Sequence, residues 1–314
     1  MIPSAAPVIV TVPGTCGELI QGWSAAWKEP VLVSCPIALY SRVQVQLCVE
    51  PRLQIFGNSP NYIKSYRAAR LVLNYLGRPD LGAKILLTSQ LLSGRGMASS
   101  TADVIGVMAG LAHRLDQPLT ATELAGLACQ VEPSDSTMFR GLAVLAYRGS
   151  SRACELGLPP ALPLLMLDAG YTVDTLTYNN HLNLTMVSQL ASATQTALEL
   201  LRQGLRLDDP LAIGAAATLS AVSYQRVSYS RLVEQAQRWA TATGALGIVR
   251  AHSGSVVGLL YPLQTDLAEP ARWLSARFEG AMKQTYLTSG GWMTEKGSSV
   301  TSQVSAMNSV TLDT

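Results

Sequence analysis

The chain has 314 residues, 48% of them hydrophobic and 14% charged, with a formal net charge of +2. This length is enough for two domains, or one large domain, around a buried core. All apolar runs stop short of the about 18 residues that a transmembrane helix needs, and the arginines form no basic stripe. We therefore expect a globular protein, free to form oligomers, that binds neither a membrane nor nucleic acid.

The N-terminus and the cysteines indicate the compartment. The stretch "MIPSAAPVIVTVPG" lacks the basic start and apolar core of a secretory signal, which predicts a cytoplasmic protein. The five cysteines contain no CxxC pair, and the three histidines have no metal-ligand spacing. We expect reduced thiols, mostly in the core, and no zinc site.

The first half of the chain alternates strands and helices. Strands are predicted in "APVIVTVP", "PVLVSCPI", "LYSRVQVQLCV", "AKILLTSQLL" and "GLAVLAYRG". A helix in "YIKSYRAARLVLNYLG" ends at Gly77, and a long helix runs from about Ser99 to Leu115. A further helix in "TATELAGLACQV" begins at Thr120, which forms a capping box with Glu123.

The second half begins after a proline-rich link at 156–163. A buried strand, "LPLLMLDAG", precedes helical runs at 184–204, 208–223 and 230–242, and apolar strands follow in "ALGIVRAHSGSVVGLLYPL". This order predicts an α+β fold rather than a doubly wound sheet, with domains at 1–157 and 158–292. Residues 293–314 are rich in Ser and Thr, and we expect a mobile tail there.

One loop, "LLSGRGMASSTADVIG", is suited to an anion. Gly94 and Gly96 let backbone N–H groups approach a ligand, and the first turn of the following helix leaves such groups unpaired at the positive end of its dipole. Ser99 and Ser100 add hydroxyls that can bind Mg²⁺, and Arg95 can meet a phosphate oxygen. An ordinary Gly-rich turn with a serine cap explains the pattern equally well. It is not a Walker loop, because no Gly-Lys-Ser/Thr follows.

Two carboxylates three residues apart, Glu132 and Asp135, lie in "VEPSDSTMF". In such a pair, one carboxylate can hold a metal while the other accepts a proton. By itself the pattern favours a helix cap at Asp135 or Ser134.

Two further segments are weaker signals. The segment "AHSGSVVG", residues 251–258, joins two apolar strands and is equally typical of a hairpin turn. "PGTCGELIQG" places Glu18 after a glycine, where an exposed strand-end carboxylate is the simplest explanation.

The four segments together resemble the GHMP small-molecule kinases. "GMASSTA" is similar to the family's Gly-Leu-Gly-Ser-Ser-Ala loop, with Met97 and Ala98 replacing the usual Leu and Gly. More narrowly, the chain resembles the branch that phosphorylates L-threonine in cobalamin biosynthesis, over about residues 11–260. The segments that carry this resemblance are "CGELIQG", "LVSCPI", "GMASSTAD", "EPSDSTMFR" and "AHSGSVVG".

The resemblance implies a GHMP kinase fold, with a ribosomal-protein-S5-like N-terminal domain (1–157) and a ferredoxin-like C-terminal domain (158–292). ATP would bind between them with Mg²⁺. Its phosphates would lie on Gly94, Arg95, Gly96, Met97, Ala98, Ser99, Ser100 and Thr101.

The resemblance also implies roles for single residues. Ser100 and Glu132 would hold Mg²⁺, and Asp135 would be the catalytic aspartate facing the acceptor hydroxyl. Several members of the family have a lysine beside that aspartate, whereas this chain has Thr15 there. Without it, Asp135 lacks a charge partner that would lower its pKa.

The activity implied is ATP-dependent phosphorylation of the side-chain hydroxyl of free L-threonine. Two alternatives remain: homoserine kinase or another enzyme of the family, and a nucleotide-binding regulator that has lost catalysis. Retention of Glu132 and Asp135 disfavours the regulator. The residues expected to bind the amino acid are Cys16, Glu18, Ser34, Cys35, His252 and Ser253.

Overall fold

Two long strands at the start of the chain organise the fold. The computed structural model describes residues 7–149, 151–297 and 309–311. In it, β1 (Val8–Ser24) and β2 (Glu29–Cys48) form an antiparallel pair whose register shifts between Pro13 and Gly14 and twice more around Glu18. The two strands predicted within β2 are therefore one element that bends. Such irregularities re-aim side chains, and these occur where the functional segments lie.

The other described strands are β3 (Leu53–Gly57), β4 (Gly82–Ser89), β5 (Leu142–Leu145), β6 (Ala153–Gly157), β7 (Pro163–Asp168), β8 (Gly247–Arg250), β9 (Val256–Leu260), β10 (Ala281–Tyr286), β11 (Met293–Lys296) and β12 (Ser309–Thr311). The described helices are α1 (Tyr62–Tyr75), α2 (Ser99–Arg114), α3 (Ala121–Val131), α4 (Thr175–His181), α5 (Leu184–Ser188), α6 (Ala191–Leu207), α7 (Pro210–Ser223), α8 (Arg231–Thr243) and α9 (Ala268–Ser275).

The strands form one mixed sheet in the order β10-β7-β9-β8-β1-β2-β4-β3-β12. β11 adds to β1, and β5 joins β2 to β6. The pairs β1–β2, β2–β4, β7–β9 and β8–β9 are antiparallel, which confirms the predicted α+β class. Along this path, β10, β7, β9 and β8 come from after residue 163, and β1, β2, β4 and β3 come from before residue 157. The two groups meet where Glu18 pairs with Arg250, and β12 adds to the far edge beside β3. The domain boundary at 157/158 stays a prediction.

Helix α2 packs tightly onto the central strands. Every residue from 101 to 112 is buried. Gly106 and Gly110 allow the close approach, because a Cβ on Gly106 would lie 2.4 Å from Val43 Cγ2 and one on Gly110 would lie 2.7 Å from Val45 Cγ2. This packing fixes the N-terminus of α2 above β1 and β2. In the second half, a separate apolar cluster joins β7, β8 and β9 to α8 and α9.

Several described elements were not predicted from the sequence, among them β3, α4 and β6, and one boundary changes. The short β3 and the polar helix α4 carry little periodic signal, and β6 extends into the proline-rich link at 156–163. The expected mobile tail at 293–314 is wrong for residues 293–296, which form β11 and pair with β1, and residues 309–311 pair with β3. Residues 298–308 and 312–314 lie outside the described residues. No described helix is long and apolar enough to cross a membrane.

Candidate active site

Backbone contacts join three loops at the N-terminus of α2. Thr15 N donates to Met97 O and Gly17 N donates to Gly96 O, both at 3.0 Å. On the other side, Ser255 N donates to Arg95 O at 3.0 Å. The first, third and fourth segments that the sequence analysis singled out therefore meet in space. The "AHSGSVVG" segment is a hairpin turn between β8 and β9, as the simpler interpretation held, and it also supports the glycine loop.

A side chain at the glycines of these loops would be strained or would clash with a neighbouring loop. Gly94 and Gly96 have φ values of +71° and +84°, in the region that favours glycine. A Cβ on Gly96 would lie 2.1 Å from Ala251 Cβ, and one on Gly254 would lie 2.2 Å from Arg95 O. The two loops are thus in direct backbone contact.

Helix α2 presents free amides to the cleft above it. Its N-cap is Ala98, with a φ of 54° and no side chain that can accept a hydrogen bond. The first intrahelical bond runs from Ala102 N to Ala98 O, so the N–H groups of the three residues 99–101 have no partner within the helix. By contrast, Thr120 satisfies the first turn of α3 with the predicted capping box. The start of α2 can therefore receive an anion.

This helix end opens into a large cleft with about 610 Å³ of space, part of it open to solvent. The cleft is lined by residues 93–101 other than Arg95 and by Glu18, Lys64, Glu132, Pro133, Asp135, Val173, Asp174 and Ser253.

Glu132 has one partner on each carboxylate oxygen. Ser100 Oγ donates to Oε1, and Lys64 Nζ lies 2.7 Å from Oε2. The Ser100 hydroxyl and a buried carboxylate are the hard oxygen ligands that Mg²⁺ prefers, and Mg²⁺ usually takes few protein ligands beside substrate phosphates. Among the residues that the structure describes, no cluster of three or more His, Cys, Asp or Glu side chains is placed to hold a metal. The donor set fits a magnesium–nucleotide complex rather than a metal held by protein alone.

Lys64 reaches the cleft because a buried aspartate anchors the segment before α1. Asp103, on α2, accepts hydrogen bonds from Ser41 Oγ, from Ser59 Oγ and, at 2.9 Å, from Asn61 Nδ2. Burial raises the pKa of Asp103, and these hydrogen bonds lower it in part. The network fixes the start of α1, two residues before Lys64.

Asp135 is held by two hydroxyls and does not cap a helix. Ser34 Oγ donates to Oδ1 at 3.2 Å, and Thr101 Oγ1 donates to Oδ2 at 3.4 Å. The next element along the chain is β5, so the cap interpretation is wrong. Burial raises the pKa of Asp135 to about 7, and Coulomb repulsion from Glu18 and Glu132 acts in the same direction.

Glu18 is buried rather than exposed at a strand end. His252 N donates to Glu18 Oε2 at 3.2 Å, and His252 Nδ1 lies 2.6 Å from the same oxygen. Burial raises the pKa of Glu18 to about 8, although the His252 amide and Arg250 oppose the shift. Burial, assisted by Arg250, lowers the pKa of His252 well below its usual value, so the imidazole is neutral at pH 7.

A second, smaller cavity lies beside the large cleft, and we call it the inner pocket. Both cavities are lined by Glu18, Pro133, Asp135 and Ser253. The rest of the inner pocket is lined by Gln21, Leu32, Ser134, Tyr147, Tyr178 and Asn179. Asp135 thus stands where a ligand in the cleft and a ligand in the inner pocket would meet.

Some predicted site residues do not line either cavity. Cys16 and Cys35 are wholly buried in the hydrophobic core. The Arg95 guanidinium lies 3.5 Å from Asp168 Oδ1 and does not line the cleft, although its carbonyl supports the loop. Ser34 and His252 line neither cavity, but they hold the carboxyl groups of Asp135 and Glu18 by hydrogen bonds. The expected direct contacts of Cys16, Cys35 and Arg95 are therefore not supported by the geometry.

Several site residues were missed by the sequence analysis. Lys64 lies in a helix identified only by its periodicity, and α4 supplies Tyr178 and Asn179 to the inner pocket. Gln21 and Tyr147, whose side chains share a 3.2 Å hydrogen bond, come from strand β1 and the residues after β5. Of these residues only Gln21 lies in a segment singled out from the sequence, "CGELIQG", and it was given no role there.

The chain is similar to known proteins along most of its length. Residues 61–146 match the family described as "GHMP kinases N terminal domain". An L-threonine kinase from Citrobacter freundii is 31% identical over 279 residues, which cover 85% of this chain and 90% of that protein. An L-threonine kinase from Salmonella typhimurium is 29% identical over 294 residues, or 89% of each chain.

The fold has relatives among solved structures. The crystal structure of homoserine kinase from Cytophaga hutchinsonii superposes with a TM-score of 0.68 and covers 92% of this chain and 97% of its own. At 16% identity this likeness shows the fold alone. Together with the similarity to the L-threonine kinases over most of the chain and the three joined loops, it leads to one conclusion: the chain belongs to the GHMP kinase family.

Proposed function

We propose that this protein transfers the terminal phosphoryl group of ATP to the side-chain hydroxyl of free L-threonine, giving O-phospho-L-threonine and ADP. The observation that carries the proposal is the position of Asp135 at the junction of the large cleft and the inner pocket. The similarity to two L-threonine kinases over more than four fifths of the chain supports the choice of acceptor.

The large cleft is the site for the ATP phosphates. Residues 99–101 offer backbone N–H groups, and the glycines let the chain approach the ligand. Ser100 and Glu132 are the residues that would hold Mg²⁺, which would neutralise charge on the phosphate oxygens. In phosphoryl transfer, positioning and charge neutralisation of this kind account for most of the rate enhancement.

The inner pocket is the site for the acceptor. As the acceptor oxygen forms its bond to phosphorus and the bond to ADP breaks, the hydroxyl proton passes to an Asp135 oxygen. A carboxylate with a pKa of about 7 suits this step, because it is a stronger base than an ordinary aspartate and about half of it is ionised at neutral pH.

The missing lysine changes the surroundings of Asp135. Thr15 occupies the family's lysine position, and its Oγ1 donates to Gly96 O at 3.3 Å. Asp135 therefore has hydroxyl donors, from Ser34 and Thr101, where several relatives supply an ammonium group, and these hydrogen bonds lower its pKa by less than burial raises it. Lys64 brings a positive charge to Glu132 instead.

The methyl group of threonine needs an apolar contact. The sequence analysis expected this contact near Cys16 and Cys35, whereas the inner pocket presents Leu32 and Pro133. Filling such a niche is worth about 1 to 3 kcal/mol, or about 10- to 200-fold in kcat/KM over serine. We further propose, from the resemblance of the sequence segments, that the product serves the aminopropanol linker of cobalamin.

An ADP-release assay with Mg²⁺ATP and L-threonine, L-serine, L-homoserine or mevalonate tests the proposal. L-threonine should give the highest kcat/KM. L-homoserine should turn over poorly, because its hydroxyl lies one carbon further from the backbone. Faster turnover of homoserine would instead favour homoserine kinase, and nucleotide binding without ADP release from any acceptor would favour the non-catalytic regulator.

A further inference from the structure

We infer that the inner pocket selects its acceptor by a positive charge, and that Glu18 pairs with the ammonium group of an amino alcohol while Asp135 faces the hydroxyl. This inference rests on the proposed function and deepens it, because it assigns the substrate's amine to a particular carboxylate.

The charges around the inner pocket support this assignment. Of the described residues that line it, Glu18 and Asp135 are acidic and none is a lysine, arginine or histidine. The remaining walls are neutral, including the hydroxyls of Tyr147 and Tyr178. A ligand without an amine would bring a further negative charge, or none, to two buried carboxyl groups. An ammonium group would instead favour the ionised form of both carboxyl groups, which burial disfavours in the unliganded protein.

The geometry of Glu18 leaves one oxygen free for a ligand. His252 occupies Oε2 with both its backbone amide and its ring nitrogen. Oε1 accepts no hydrogen bond from the residues that the structure describes. A carboxylate that is held from one side and open on the other is arranged to accept a charge-assisted hydrogen bond.

The arginine that acts on Glu18, Arg250, is already engaged elsewhere. Arg250 Nη1 donates to Gln225 Oε1 at 3.0 Å and to the Ser228 carbonyl at 3.1 Å. Its guanidinium also lies 5.7 Å from the centre of the Tyr224 ring. Arg250 lowers the pKa of Glu18 at a distance without forming an ion pair with it. Glu18 therefore still has the capacity to bind a cation.

Asp135 is connected to Glu18 through Ser34. Ser34 is the cross-strand partner of Glu18, and its hydroxyl donates to Asp135, so one residue links the backbone position of Glu18 to the carboxylate of Asp135. We expect two acidic groups held in this way to favour a substrate whose amine and hydroxyl are on adjacent carbons. The distance between these two groups is then a second basis for selection against homoserine.

The test compares acceptors that keep or lose the amine. Dissociation constants are measured by calorimetry for L-threonine, (R)-1-amino-2-propanol and (R)-3-hydroxybutyrate, on the wild type, Glu18→Gln and the exposed control Glu279→Gln. In the wild type, (R)-3-hydroxybutyrate should bind at least about 10-fold more weakly than L-threonine, whereas (R)-1-amino-2-propanol should keep more of the affinity.

Glu18→Gln should weaken L-threonine binding by about 10-fold or more and change (R)-3-hydroxybutyrate binding by less than about 3-fold. Glu279→Gln should match the wild type. Equal losses for both ligands, or none, would overturn the assignment. Because each comparison is made within one protein, partial unfolding cannot imitate the selective loss.

If Glu18→Gln does not fold, the order of the dissociation constants of the three ligands for the wild type still tests the inference. Tight binding of (R)-3-hydroxybutyrate would overturn the inference, and its exclusion would support it. Failure of the proposed function is distinguishable, because it would appear as no ADP release with any hydroxy amino acid.

Discussion

The large cleft and the inner pocket recognise ligands by different means. The cleft is built from backbone: glycines with positive φ, a helix N-terminus without a side-chain cap, and loops held by main-chain hydrogen bonds. The inner pocket is built from side chains that arrive from β1, β2, the 133–135 turn, the end of β5, α4 and the 251–255 loop. Under the proposed function, the cleft would bind the cosubstrate ATP and the inner pocket would select the acceptor.

Because of this difference, we expect substitutions in the two regions to have different effects. Changes in the cleft should damage the loop architecture, and through it stability and nucleotide binding together. Changes in the inner pocket should alter turnover or acceptor preference and leave nucleotide binding intact.

The largest expected effect is that of Gly96→Ala on stability. The new methyl group would meet Ala251 at a backbone conformation that L-residues rarely adopt. We expect the free energy of unfolding to fall by about 2 to 4 kcal/mol. Gly77→Ala, at a φ of +69° with nothing within 4 Å of the new Cβ, is the matched control and should cost about 1 kcal/mol. Denaturant titration measures both, and equal losses would contradict the packing argument.

Removing the carboxylate of Asp135 should affect only the chemical step. Asp135→Ala should lower kcat by about 10²-fold or more while the dissociation constant for ATP changes by less than about 2-fold. Asp135→Asn keeps the size and serves as a second variant. Steady-state kinetics and nucleotide titration decide between the outcomes, and turnover at the wild-type rate would leave Asp135 with a structural role only.

Changes at the proposed Mg²⁺ ligands should affect the cleft without distorting it. Ser100→Ala and Glu132→Gln each remove one oxygen ligand, so the Mg²⁺ concentration for half-maximal activity should rise by about 3- to 10-fold. Ser99→Ala, the same substitution one residue earlier, should leave that midpoint unchanged. Unshifted curves for both ligand variants would show that the cation is held elsewhere.

The smallest expected effect is a pH dependence of stability that arises in the inner pocket. The pKa values of Glu18 and Asp135 are raised to about 8 and about 7, so the folded protein retains protons that the unfolded chain releases. Stability from this source is complete below about pH 4 and is lost as pH rises through these values.

Between pH 5 and pH 9 the free energy of unfolding should therefore decrease, and Asp135→Asn should reduce that decrease by about 1 kcal/mol or more. Denaturant titrations at pH 5, 7 and 9 test this, with Glu279→Gln expected to follow the wild type. A slope that is identical in Asp135→Asn would mean that Asp135 ionises normally in the folded protein.

The sequence predicts the cleft better than the inner pocket for a physical reason. A loop from Gly94 to Ser100 and a cap at Thr120 depend on local backbone conformation, which neighbouring residues encode. Tyr178 and Asn179 reach the inner pocket only through tertiary packing of α4, a polar helix without periodicity. The fold class was predictable because apolar alternation follows the strands, whereas the continuity of β2 through its bend was not.

The error at Cys16 has an identifiable cause. Regular alternation along a strand would place Cys16 and Glu18 on the same face. The register of β1 shifts between Thr15 and Glu18, and Gly17 has a φ of +60°. This irregularity buries Cys16 in the core and turns Glu18 toward the cavities.

The contact between the glycine loop and the 251–255 loop has a kinetic consequence. Arg95 O accepts hydrogen bonds from both Ser255 N and Val256 N, and Gly254 leaves no space between the two backbones. The entropy of ordering the phosphate loop is therefore lost once, when the chain folds, rather than at every encounter with nucleotide. Under the proposed function, we expect ADP to leave and ATP to enter without separation of the two halves of the chain.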